Sequence, residues 1–267
     1  MIKNLNYLKK LIKVLIWPII FIIGQFFIEY IFVAYYNYNN KGNMTNSEFL
    51  EFIKTTTYKE SLNKFIDSKL LLISIISFVI FLPIFYLLYK KYKKARKSNY
   101  YIESISYGIT IPVIFNITLY NINSIIRFTN RYDSNTIPIA VSIICTAILG
   151  PILEEILFRG IVYNKLKEFN KNMTAIILCS IIFGVFHFDI VNSIYAFGVS
   201  FMFIYLYEKY NTLYAPILMH VILNLTTILI VKLNILNISI VNIILLIVST
   251  LILILISKRY IGRNKYE

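Results

Sequence analysis

Eight blocks of predominantly apolar residues, each roughly 18–25 residues long, are separated by short segments rich in lysine and arginine. The hydrocarbon layer of a bilayer is about 30 Å thick, and a helix rising about 1.5 Å per residue needs roughly 20 apolar residues to cross it. Backbone amides have no water to bond there, so each block must satisfy its own hydrogen bonds as a helix. The blocks fall at about 11–36, 70–89, 105–126, 137–158, 173–190, 191–208, 213–231 and 238–257. The pattern predicts an all-α, polytopic transmembrane bundle of about eight helices. The block at 105–126 is the most diluted, by Asn116, Asn121 and Asn123, and only "FDIVNS" marks the turn inside 173–208.

Composition agrees: the chain is 58% hydrophobic and 15% charged, where soluble proteins average about 45–50% and about 25%. Its net charge of +14 does not point to nucleic acid, because the basic residues sit in loops such as "KKYKKARK", Lys90 to Lys97. Their partner is the lipid headgroup layer. The segments 1–10, 90–104, 159–172 and 258–267 are basic, whereas 127–136, 189–191 and 232–237 carry few lysines or arginines. By the positive-inside rule both termini are expected in the cytoplasm, in a cell membrane that the composition makes bacterial. The lysine-rich start resembles a signal peptide, but the apolar run behind it is too long and lacks a small-residue cleavage site, so it is expected to stay as a helix. The polar stretch at about 37–69 carries five lysines and four acids and is expected to be an extramembrane loop with an amphipathic interfacial helix. Cys145 and Cys179 both lie in apolar blocks and read as small packing residues.

Three polar clusters interrupt the apolar helices. In "ILEEILFRG", residues 152–160, Glu155 and Arg159 are four apart and share a helix face, with the acid N-terminal to the base. Glu154 points about 100° away and has no local partner, which suits a general base. A solvated helix end would account for the same charges. The second cluster is "FGVFH", Phe183 to His187, and the third is "HVILN", whose His220 and Asn224 share a face. A histidine beside an asparagine can stabilise an oxyanion or tie helices together. The chain has only two histidines, and both fall within apolar blocks. Two histidines, an unpaired glutamate and an asparagine on three helices converge only inside a bundle, where they suffice to activate a water and hold the oxyanion it creates.

The three clusters fit the EExxxR, FxxxH and HxxxN motifs, in that order, and the chain resembles the CPBP intramembrane endopeptidases. This is the CAAX-protease and bacteriocin-processing (Abi) family, to which the eukaryotic Ras-converting CAAX endopeptidase belongs. The resemblance covers about residues 137–231. It divides the chain into N-terminal membrane helices at 1–136, a catalytic helix core at 137–231, and a last helix with a basic tail at 232–267. It implies that Glu154 and His187 hold and activate the hydrolytic water, that His220 and Asn224 form the oxyanion hole, and that Glu155 and Arg159 fill the supporting motif positions.

The resemblance leaves metal use open. Glu154, His187 and His220 could form a His₂Glu zinc site, yet the chain lacks HExxH and Asn224 serves as an oxyanion donor without metal, so a glutamate-dependent, metal-free hydrolysis is the preferred expectation. The substrate is expected to be a membrane-associated peptide or protein, with bacteriocin precursors and signal-peptide remnants ahead of prenylated tails. Two other classes compete. A non-enzymatic immunity or scaffold protein would use the motifs structurally, and a transporter would be expected to show an internal repeat, which is not visible. One conflict stands: with the blocks as drawn, Glu154 lies toward the cytoplasmic end of its helix and His187 toward the outer end of the next.

Overall fold

In a computed structural model, the chain is described over residues 2–93, 99–126, 137–233, 235 and 239–263. Nine helices make up the fold of these residues, and no strand occurs among them. They are α1 (Ile2–Lys41), α2 (Asn46–Phe52), α3 (Thr56–Tyr89), α4 (Tyr101–Ile126), α5 (Ile139–Lys167), α6 (Asn172–Val185), α7 (Ile190–Tyr210), α8 (Tyr214–Lys232) and α9 (Ser239–Arg263). Six of them (α1, α3, α4, α5, α7 and α8) are long and apolar enough to cross a membrane. The all-α polytopic bundle expected from the hydrophobic blocks is therefore present. The loop at 127–136 and residues 234 and 236–238 lie outside the described residues.

The polar stretch at 37–69 is not a loop but almost continuous helix. α1 runs on to Lys41, ends at Gly42 with φ +50°, and α3 begins again at Thr56. The break between them is made by two capping threonines. Thr45 accepts from the Glu48 amide while the Glu48 carboxylate accepts from the Thr45 amide, a reciprocal capping box, and Thr55 accepts from the Tyr58 amide. The short α2 buries none of its residues against the rest of the chain. Beyond the caps nothing in the stretch forbids helix, and Tyr36 and Tyr58 tie the two long helices together through Ser61 and Asn37.

Close helix approaches fix the bundle. Phe81 of α3 sits over Gly24 and meets Phe21 of α1 edge-on at 5.0 Å. Gly108 brings α4 against Met219 and Ile222 of α8, and Gly184 brings α6 against Ser193 and Phe197 of α7. The small side chains permit the near backbone contact that drives helix association in lipid. Asn116, which diluted α4 in the sequence, gives its amide to the Pro112 carbonyl at 2.8 Å. At one end of the bundle Tyr7 bonds Asn170 (2.9 Å), Lys91 meets Glu168 (3.6 Å), Lys167 meets Glu208 (2.9 Å) and Lys209 meets Glu103 (2.7 Å). Three of the four basic segments thus gather at the same end, as charge alternation requires.

Candidate active site

α5 carries the first motif and is the centre of the core, with residues 155 to 164 all buried. It runs to Lys167 rather than ending near 158, because its charges are sheltered by neighbouring helices and need no solvated terminus. Two stretches of α5, Ile143–Leu149 and Ile156–Tyr163, wind as π-helix. Such windings are rare and frequently fall at functional sites. Asn164 supports the second one by giving its side-chain amide to the Arg159 and Gly160 carbonyls, each at 2.9 Å.

Glu155 and Arg159 are completely buried and paired, with Arg159 Nη1 donating to Glu155 Oε1 at 2.9 Å. The solvated helix end is thereby excluded. Arg159 Nη2 donates to Ser200 Oγ at 2.9 Å, and the guanidinium lies between the rings of Phe183 (4.2 Å) and Phe203 (4.6 Å). His220 Nδ1 is 2.8 Å from the same Glu155 oxygen. A carboxylate only accepts, so this contact is a hydrogen bond when Nδ1 bears the proton. Glu155 therefore orients the imidazole, and its Nε2 faces Glu154 Oε2 at 3.9 Å. The ring is also stacked on Phe203, with centroids 4.6 Å apart.

Glu154 is the partly exposed member, its side chain 29% accessible against 0% for Glu155. The two adjacent glutamates divide into a buried orienting group and an accessible one, as their helical phases predict. Asn224, half-buried one turn beyond His220, donates to the Thr146 carbonyl of α5 at 2.8 Å. His187 is exposed, just past the end of α6, with Nδ1 2.9 Å from the Phe183 carbonyl and its ring 5.0 Å from that of Phe183.

The expected depth conflict is removed from both sides. With α5 extended, Glu154 stands about 20 Å along the axis from the basic end, and with α6 starting at Asn172, His187 stands about 22 Å from that end. The turn is set by Phe188, in the left-handed region at φ +53°, and by Asp189, whose side chain caps α7 through the Asn192 amide at 3.0 Å. Among the described residues, however, no hydrogen bond or ion pair joins Glu154 to His187. No three His, Cys, Asp or Glu side chains among these residues are grouped to hold a metal ion. The Glu154, His187 and His220 set does not fit zinc as placed, because the three side chains are not brought together as one group.

Ser200 and the two rings that enclose Arg159 are additions to the sequence-derived site. A buried arginine needs more donors satisfied than one glutamate can accept, so a lone serine amid the apolar run "FGVSF" was the available signal.

Residues 136–226 match the type II CAAX prenyl endopeptidase Rce1-like family. Over 96 residues the chain is 34% identical to the "Putative membrane peptidase YdiL" of Bacillus subtilis (strain 168), a match covering 36% of this chain and 39% of that protein. No solved structure matches the chain.

Proposed function

We propose that this chain is a glutamate-dependent intramembrane endopeptidase, a reading supported by the match of residues 136–226 to the Rce1-like CAAX prenyl endopeptidase family. The observation that carries it is the division of labour at His220, held at Nδ1 by buried Glu155 and faced at Nε2 by the accessible Glu154. Glu154 takes a proton from a water whose oxygen attacks the scissile carbonyl carbon, and His187 holds that water from the other side. The oxyanion is stabilised by the Asn224 amide and by His220, whose Nε2 donates to it when both ring nitrogens carry protons, Nδ1–H staying on Glu155. Collapse of the tetrahedral intermediate breaks the C–N bond, and Glu154 returns the proton to the leaving nitrogen. Glu155 and Arg159 act as support, and no step is routed through a metal.

The substrate class is a peptide or protein tail held at the membrane, with small processed peptides ahead of prenylated tails. The basic end of the bundle faces the cytoplasm of a bacterial cell, with both chain termini on that side. If the protein were a scaffold or immunity factor, the buried Glu155–Arg159–His220 network would still be required for the bundle, but accessible Glu154 would not. The test compares membrane and secreted peptides from cells making the parent or the Glu154→Ala chain at equal membrane levels. An uncleaved species should accumulate with Glu154→Ala, and with His187→Ala or His220→Ala. Normal processing by a Glu154→Ala chain would refute the assignment.

A further inference from the structure

The first π-helical stretch of α5 ends at Leu149, just before Gly150 and Pro151, and Pro151 lies three residues before Glu154. Within it the Gly150 amide donates to the Cys145 carbonyl, the i→i−5 bond of a π-helix. In that register the Thr146 carbonyl should receive the amide of residue 151. Residue 151 is proline and has no N–H. Its other ordinary donor, the Gly150 amide, is already given to Cys145. The carbonyl that the backbone leaves open is the one to which Asn224 Nδ2 donates at 2.8 Å.

We propose that Pro151 is a positioning residue for Asn224: by withholding a backbone N–H from Thr146, it supplies the acceptor that anchors the Asn224 amide on the helix carrying Glu154. The inference deepens the endopeptidase reading and rests on it for its catalytic consequence, but not for the anchor itself. A primary amide has two donors. One is fixed on Thr146, which sets the direction of the second, the one that meets the oxyanion. The spacing between the general base and this donor is then set by one hydrogen bond between α5 and α8, and the missing amide lies in the same turn of helix as Glu154. The sequence holds both halves of the device, since Pro151 and Asn224 each look ordinary alone.

The test is a double-mutant cycle on the full chain in detergent micelles, with thermal unfolding as the first readout. Asn224→Ala leaves the Thr146 carbonyl without a donor and should lower the unfolding midpoint by about 2–4 °C. Pro151→Ala restores an amide there, so it should recover most of that loss in the Asn224→Ala background while giving no such gain in the parent. Equal shifts in both backgrounds would overturn the proposal, because independent sites add. In cells, Pro151→Ala should slow processing of the peptide that accumulates with Glu154→Ala, and should slow it no further once Asn224 is gone. A Pro151→Ala chain that processes at the parent rate refutes the positioning role. If no peptide accumulates with Glu154→Ala, the protease reading fails while the unfolding cycle still decides the anchor. Pro151→Leu, which also restores the amide, serves if Pro151→Ala does not accumulate.

Discussion

Replacing Arg159 with methionine removes the positive member of a charge pair that has no exposed surface on either side. Breaking such a pair from one end leaves a buried carboxylate uncompensated, at a cost of about 3–5 kcal/mol. Ser200 also loses its donor partner, about 1 kcal/mol, and the cation contacts with Phe183 and Phe203 disappear. Methionine recovers part of the last loss, about 0.3–1.5 kcal/mol per sulfur–ring contact. The contributions share one cluster and do not add, so the net expectation for Arg159→Met is a destabilisation of about 3–5 kcal/mol. Glu155→Gln combined with Arg159→Met removes both charges, and the amide oxygen of the introduced glutamine can still accept from His220 Nδ1. The double variant should therefore stand about 2–3 kcal/mol above the single one. Reversible unfolding in mixed detergent and SDS micelles measures both. A single variant within about 1 kcal/mol of the parent, or a double variant no more stable than the single, would refute the claim that the charge pair carries this part of the bundle.

Two further outcomes follow from particular contacts. A Cβ at Gly108 would stand 2.8 Å from both the Met219 carbonyl oxygen and Ile222 Cβ. Gly108→Ala should thus shift α8 by a few tenths of an ångström and lower the cleavage rate about tenfold at unchanged membrane level, whereas Gly198→Ala, which faces open space, should leave the rate alone. At the start of α2, hydrogen bonds from Thr45, its backbone amide first, hold the Glu48 carboxyl below its usual range. A depressed folded-state value means the cap is fully formed above the ordinary glutamate range and is lost as pH falls through the lowered one. Protection of the Thr45 amide, measured against its intrinsic exchange rate at each pH, should fall over that acid interval in the parent, and Glu48→Gln should abolish this change in protection.

Much of the site was legible because its chemistry depends on spacing within single helices. Glu155 and Arg159 are paired where the i, i+4 rule put them, and the two glutamates separate as their 100° offset requires. Boundaries were read less well. The apolar block stops at 158, where charge ordinarily marks a helix leaving the membrane, yet Arg159 is enclosed by two phenylalanines and a serine from α6 and α7, partners that no local window contains. The stretch at 37–69 looked like a loop because it is polar, but polarity alone does not break a helix, and only Gly42 and two threonine caps interrupt it. The π-helical winding had one local cue, Pro151, whose effect depends on the registry of the preceding turn. The contact of His220 with Glu155, 65 residues away, lay beyond any periodicity argument.

α6 has 14 residues, and at about 1.5 Å each it reaches roughly 21 Å, short of the roughly 30 Å of a bilayer's hydrocarbon layer. If the helix is surrounded by lipid, as the proposed intramembrane reading has it, the bilayer beside its tip is expected to thin and to bring water nearer to exposed His187. Hydrolysis inside a membrane needs water as its second reactant, and a short helix shortens the path that water travels. Under the proposed endopeptidase reading, acyl chain length is then expected to control turnover, thicker bilayers slowing it and thinner ones speeding it.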